Sequence, residues 1–139
     1  MCGRFAFHSP LENVLGLFGV AGAPVAPVPR WNITPGTPIP VVRLGADGAR
    51  EFVLLHWGLV PSWARDRSIG ARLVNARAET LAEKPAFRSA FRRHRCLVVA
   101  DGYYEWQATA AGKQPWYLYA ADARPFAMAA ATIATIPTR

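Results

Sequence analysis

The amino-acid sequence predicts a β-rich α+β protein, in which many short strands are combined with a few short helices. Of its 139 residues, 52% are hydrophobic, which is enough for a sizeable core. Twelve prolines and 11 glycines interrupt the chain too often for long helices, and short apolar segments alternate with turn signals. Because this length suits one compact domain, we expect residues 1–139 to form a single domain.

The N-terminal third predicts a strand, a helix and a β-hairpin. Residues 2–7 form a short strand with Arg4 on one face and Phe5 and Phe7 on the other. The segment 9–12, Ser-Pro-Leu-Glu, predicts a helix start with a serine cap and a capping box, and Gly19 ends this helix. A proline-rich loop is predicted over residues 21–30. Strands near 38–44 and over 51–60 are joined by a predicted turn at Asp47-Gly48.

The rest of the chain predicts one more helix and several strands. A helix is expected over residues 84–91, and a buried strand over 95–100 is followed by a turn at Asp101-Gly102. Further strands are expected from residue 103, over 115–120 and over 125–134. Most of the five tryptophans are expected in the core.

The charge of the chain indicates a polyanionic partner. Its net charge is +7, carried by 14 arginines and only two lysines. Arginine binds phosphates bidentately and stacks on flat rings, so this composition is typical of nucleic-acid binding. A GC-rich genome also favours arginine over lysine, but it explains the net positive charge less well.

Other classes of function find little support. No apolar run is long enough to cross a bilayer, and the N-terminus lacks the apolar core of a signal peptide. We therefore expect a cytoplasmic, nucleoid-associated protein that is neither secreted nor bound to a membrane. The two cysteines and three scattered histidines show no paired ligand spacing, so neither a disulfide, a metal site nor a cofactor is expected.

Cys2 can become an N-terminal cysteine, because a small side chain after Met1 normally permits removal of that methionine. Such a residue carries an amine and a thiol on adjacent carbons. The amine, with an ordinary pKa of about 7.7–8.0, forms a Schiff base with an aldehyde, and the thiol then closes a five-membered thiazolidine ring. Position alone also fits an incidental small residue at this site.

Further polar residues could act with Cys2, although each also has an ordinary structural interpretation. Asn75 and Arg77 lie two apart and share one face of an extended segment, where they could orient a sugar and hold a phosphate. Glu105, between two aromatic residues, is suited to general acid/base use if it is partly buried. A groove for a single strand could be formed by Arg4, Trp63, Arg77 and the basic run over 65–72.

Taken together and in order, these segments resemble the SRAP family (SOS response-associated peptidase). The resemblance rests on Met-Cys-Gly-Arg-Phe at 1–5, Trp-Asn-Ile-Thr-Pro-Gly at 31–36, Trp-Gly-Leu-Val-Pro-Ser-Trp-Ala at 57–64, Asn-Ala-Arg-Ala-Glu-Thr at 75–80, Cys-Leu-Val-Val-Ala-Asp-Gly-Tyr-Tyr-Glu-Trp at 96–106 and Gln-Pro-Trp-Tyr-Leu-Tyr at 114–119. It implies a distorted antiparallel β-barrel with short helices.

The resemblance also implies a function in the DNA damage (SOS) response. The protein would recognise abasic sites in single-stranded DNA as a monomer and form a thiazolidine crosslink through Cys2. Asn75 would position the sugar or the Cys2 amine, and Glu105 would be the acid/base group. The implied DNA contacts are Arg4, Asn32, Pro35, Trp63 and Arg77.

The family pattern is not matched at the C-terminal end. A further catalytic histidine, in a His-Arg-Met-Pro type motif, belongs past residue 139, so the domain is expected to be C-terminally truncated relative to the family. None of His8, His56 and His94 lies in such a context. Three functions stay open: a self-consuming crosslinking protein with possible lyase activity, a cysteine peptidase acting on its own N-terminus or on other peptides, and a non-catalytic single-strand binder.

Overall fold

The computed structural model describes residues 2–132 and confirms a β-rich α+β fold. Two short α-helices and eight strands make up the regular structure of this part of the chain. In chain order they are β1 (Phe5–Phe7), α1 (Leu11–Phe18), β2 (Arg30–Ile33), β3 (Pro38–Leu44), β4 (Arg50–His56), α2 (Arg88–Arg93), β5 (Arg95–Ala100), β6 (Gly102–Thr109), β7 (Gly112–Tyr119) and β8 (Phe126–Ala131). Two 3₁₀ turns, Arg67–Arg72 and Ala78–Thr80, lie between β4 and α2. No helix in these residues is long and apolar enough to cross a membrane.

The strands form two four-stranded antiparallel sheets, with the orders β2-β1-β6-β7 and β4-β3-β5-β8. The chain crosses between the sheets three times, after β2, after β5 and after β7. The second crossing is at Asp101, whose N–H donates to the Ala6 carbonyl over 2.9 Å. Among the described residues the sheets do not close into one barrel, but their arrangement is compatible with the distorted barrel that we expected.

The predicted β3–β4 hairpin is confirmed. The strands pair from Pro38 opposite His56 to Leu44 opposite Arg50. Gly48 adopts a φ of 79°, a left-handed conformation that glycine reaches without steric cost, and its N–H donates to Gly45.

The core lies between the two sheets and draws on both. Its largest fully buried side chains include Phe5 and Ile33 from one sheet, and Val41, Phe52 and Val99 from the other. Phe5, Ala6 and Phe7 are all buried, so β1 is covered on both faces instead of following the simple alternation that we predicted.

Most of the tryptophans are not in the core, and that prediction was wrong. Trp31, Trp63, Trp106 and Trp116 are each at least 40% exposed, and only Trp57 is half-buried against the core. A strand also begins where a loop was predicted, because Arg30–Ile33 pairs with β1. Tertiary pairing overrides the preceding proline-rich run there.

The start of α1 differs from the predicted capping box. Pro10 occupies the N-cap position, and no side chain caps the helix. The Ser9 side chain instead binds the buried carboxylate of Asp101, to which its hydroxyl donates. The backbone N–H groups of Ser9 and His8 donate to the same carboxylate over 2.8 and 2.6 Å. A long-range partner therefore outcompetes the local cap.

Replacement of Asp101 by asparagine is expected to destabilise the protein by about 2–4 kcal/mol, because buried donors would lose a charged acceptor. Urea unfolding of the two proteins measures this difference. Asp122→Asn is the matched control, since Asp122 is exposed and accepts only one local hydrogen bond, from the Arg124 N–H. Equal loss in both variants would contradict the structural role of Asp101.

Candidate nucleic-acid site around Cys2

Cys2 lies half-buried directly before β1, at the rim of the core. Its thiol donates to the Arg4 carbonyl over 3.3 Å. The Asn75 side-chain amide donates to the Cys2 carbonyl over 2.8 Å, although the two residues are 73 positions apart. Two of the residues predicted to act together are therefore in direct contact, and the contact holds the Cys2 backbone in place.

The loops that carry Asn75 are themselves held by the end of β4. The Trp57 indole N–H donates to the Val74 carbonyl over 2.9 Å, and the Leu59 N–H donates to the Leu73 carbonyl over 3.0 Å. Gly58, between them, has a φ of 137°, and a Cβ there would lie 2.8 Å from the Gly70 carbonyl oxygen. Because only glycine permits this close approach, the two loops meet at a defined distance.

Glu105 acts on Cys2 electrostatically. Burial raises the pKa of the Cys2 thiol above its ordinary value, and the negative charge of Glu105 raises it further. Strict alternation along β6 places Glu105 on the same sheet face as Tyr103, which packs against the core. Glu105 itself is half-buried.

Arg4 and Asn32, each predicted as a DNA contact, lie in direct contact in the structure. The Arg4 guanidinium donates to the Asn32 side-chain oxygen over 3.2 Å and lies 6.0 Å from the centre of the exposed Trp106 ring. Sequence reasoning assigned no role to Trp106. Trp106 comes near Arg4 because β1 pairs with β6, with Phe5 opposite Tyr103. The sequence alone does not reveal this pairing.

Cys2 and Asn75 border a cavity of about 520 Å³ with mostly apolar walls. Cys96 also lines this cavity, but burial raises the pKa of its thiol to about 11. At neutral pH that thiol stays protonated and is a poor nucleophile. A second cavity, of about 320 Å³, shares Asn75 with the first and is lined by Arg77 as well, so Asn75 and Arg77 do face the same space.

The remaining predicted contacts, Pro35 and Trp63, are less closely tied to Cys2. Pro35 lies in the turn after β2, next to Gly36, whose N–H donates to the Trp57 carbonyl over 2.9 Å. This turn therefore abuts the residue that holds Val74. Trp63 is 59% exposed in the loop after β4, and no contact within residues 2–132 joins it to Cys2.

Residues 1–136 match the family described as SOS response associated peptidase (SRAP). The chain is similar to the abasic site processing proteins YoaM of Bacillus subtilis (39% identical over 110 residues, 77% of this chain and 48% of the relative) and YedK of Escherichia coli (34% over 135 residues, 94% and 59%). It therefore spans about half the length of the curated relatives that it matches.

Solved structures show the same fold. The protein resembles one from Bacteroides thetaiotaomicron with a TM-score of 0.78 and 27% identity, over 92% of this chain and 58% of the other. It also resembles a phage-related protein from Bordetella bronchiseptica with a TM-score of 0.74 and 32% identity, over 92% and 59%.

Proposed function

Because the chain belongs to the SRAP family, we propose that it binds abasic sites in single-stranded DNA and captures them covalently through Cys2. The relatives named abasic site processing proteins support the choice of substrate. The observation that carries the proposal is the hydrogen bond from Asn75 to the Cys2 carbonyl beside the charge of Glu105. This contact holds the backbone of a residue whose amine and thiol are both reactive once Met1 is removed.

The proposed reaction joins two nucleophiles to one carbon. The neutral Cys2 amine attacks the aldehyde carbon of the ring-opened sugar, and loss of one water molecule leaves a Schiff base. The thiol then adds to that carbon, its proton passes to the nitrogen, and a thiazolidine ring results. Glu105 accepts and returns the protons of water loss, and Asn75 keeps the amine pointing at the sugar. Because Cys2 is consumed, each molecule acts once unless the ring reopens.

Further residues provide the proposed DNA contacts. Arg4 and Arg77 bind phosphates, Asn32 orients Arg4, and Trp63 offers an exposed ring for base stacking. Pro35 shapes the neighbouring turn. Residues 1–139 act in this proposal as one domain, because both sheets contribute to a single core. A monomeric state and a cytoplasmic location are part of the same proposal.

The proposal is tested by incubating the protein with a single-stranded oligonucleotide that carries one abasic site and measuring intact masses. We expect loss of Met1 and a denaturant-resistant product with the summed mass of protein and DNA less one water molecule. An oligonucleotide with a tetrahydrofuran analogue, which has no aldehyde, is the matched control and should give no product. Absence of product at any ratio, together with equal affinity for intact and abasic strands, would leave a non-covalent binder and overturn the proposal.

A further inference from the structure

We propose that Arg77, Lys84, Arg88 and Arg92 form a cationic stripe that binds the sugar-phosphate backbone of single-stranded DNA on one side of the abasic nucleotide. This inference rests on the proposed function and extends it, since it gives the strand a path away from Cys2. Arg77 was already predicted to bind a phosphate, whereas the other three residues have no assigned role.

The backbone places three of these cations in one row. The Arg88 N–H donates to the Lys84 carbonyl over 2.9 Å, and the Phe91 N–H donates to the Phe87 carbonyl over 2.8 Å, so the helical turns of α2 begin at Lys84. Residues four apart on a helix lie on the same face, and each step advances about 6 Å. Lys84, Arg88 and Arg92 are therefore spaced along a line, as the phosphates of an extended strand are.

The opposite face of the same segment points into the protein. Ala90 is buried, and Phe87 and Phe91 line the apolar cavity that also contains Cys2. The packing of this face fixes the segment and leaves Arg88 and Arg92 exposed. The row of cations is thus held on a rigid element.

The stripe has no anionic partner within the described part of the protein. None of its four cations forms an ion pair with a carboxylate among residues 2–132, including the nearby exposed Glu79 and Glu83. Like charges at four-residue spacing repel one another and destabilise a helix. A bound polyanion would relieve this repulsion, which is the electrostatic complementarity expected of a phosphate-binding surface.

The stripe begins at the reactive centre. Lys84, Thr80 and Phe87 line the smaller cavity together with Asn75 and Arg77. Asn75 also borders the cavity of Cys2 and donates to the Cys2 carbonyl. A strand whose sugar reaches Cys2 can therefore place its next phosphates on Arg77 and Lys84, and the following ones on Arg88 and Arg92.

The test compares Arg88→Gln/Arg92→Gln with Lys113→Gln/Arg124→Gln, a matched pair of exposed cations in the β6–β7 hairpin and in the turn before β8 that changes net charge equally. Binding of a fluorescent strand with the tetrahydrofuran analogue is measured by anisotropy over a range of salt concentrations. Each lost phosphate contact lowers the salt slope by about 0.7, so the stripe variant should lose about 1.4 in slope and about 25-fold in affinity near ~0.1 M salt. The control should change little.

Two results would overturn the stripe: an unchanged salt slope in Arg88→Gln/Arg92→Gln, or an equal loss in the control pair. Circular dichroism and urea unfolding verify that both variants are folded. If either of these results is found while the unmodified protein still forms its adduct, the stripe is refuted and the proposed function stands. If the unmodified protein forms no adduct but the two variants differ in salt slope as expected, the capture chemistry is refuted and the stripe stands.

Discussion

Replacement of Cys2 by serine is expected to abolish the stable DNA adduct while leaving a reversible Schiff base that a reductant can trap. Serine preserves the N-terminal amine and the small side chain that permits Met1 removal, so the Schiff base can still form. Its hydroxyl is a much weaker nucleophile than a thiol, so the ring does not close to a stable product. We expect at least a ~100-fold lower yield of adduct that resists denaturation.

Borohydride reduction separates the two nucleophiles. With a reductant present, Cys2→Ser should again give a covalent product, because reduction makes the Schiff base permanent. Cys96→Ala is the control: its thiol is buried with a pKa of about 11, so this variant should crosslink normally. A stable, unreduced adduct from Cys2→Ser would show that the thiol is not needed and would contradict the thiazolidine.

Replacement of Glu105 by glutamine is expected to slow adduct formation about 100-fold or more, the usual contribution of a positioned acid/base group. Glutamine has nearly the same shape but cannot accept and return a proton. The rate is measured by single-turnover quenching with abasic DNA in excess. Glu12→Gln is the control, because Glu12 is exposed in the first turn of α1, on a helix that does not line the cavity of Cys2.

The effect of Glu105 on the pKa of the Cys2 thiol distinguishes a loss of Schiff-base formation from a loss of ring closure. The negative charge of Glu105 raises that pKa, so its removal lowers the pKa and increases the thiolate fraction at a given pH. Ring closure should therefore become no slower in Glu105→Gln, and the loss of rate must lie in Schiff-base formation. If the variant reaches the same rate as the unmodified protein, Glu105 is a bystander and the proposed proton transfers are wrong.

Local sequence signals predicted the elements that depend on neighbours in the chain. The Asp47-Gly48 turn joins β3 and β4 as expected, since the turn type follows from a glycine with positive φ. The strand at 95–100 agrees with its continuous apolar run, and the helix predicted at 84–91 is observed as α2, Arg88–Arg93, after a turn that begins at Lys84. The predicted strand over 125–134 is observed as β8, Phe126–Ala131, and its last two residues lie outside the described part.

The predictions that failed depend on distant partners. Ser9 carries a good local capping signal, yet its hydroxyl and N–H bind Asp101, 92 residues away, because a buried carboxylate must be satisfied. Most of the five tryptophans were expected in the core, yet Trp31, Trp106 and Trp116 are exposed. The exposure of a tryptophan on a strand depends on whether one or both faces of that strand are covered. The position of the strand in its sheet determines this, and it is set by tertiary pairing.

The sequence alone determined the proposed chemistry, because a cysteine after Met1 provides an amine and a thiol on adjacent carbons once Met1 is removed. It also determined the β-rich class and the positive charge. Only the tertiary structure decided which groups serve that cysteine. Asn75 reaches the Cys2 carbonyl, and Arg4 reaches Asn32, across 73 and 28 residues. Such contacts depend on strand pairing and on the close approach of two loops at Gly58. No local pattern in the sequence predicts either of these.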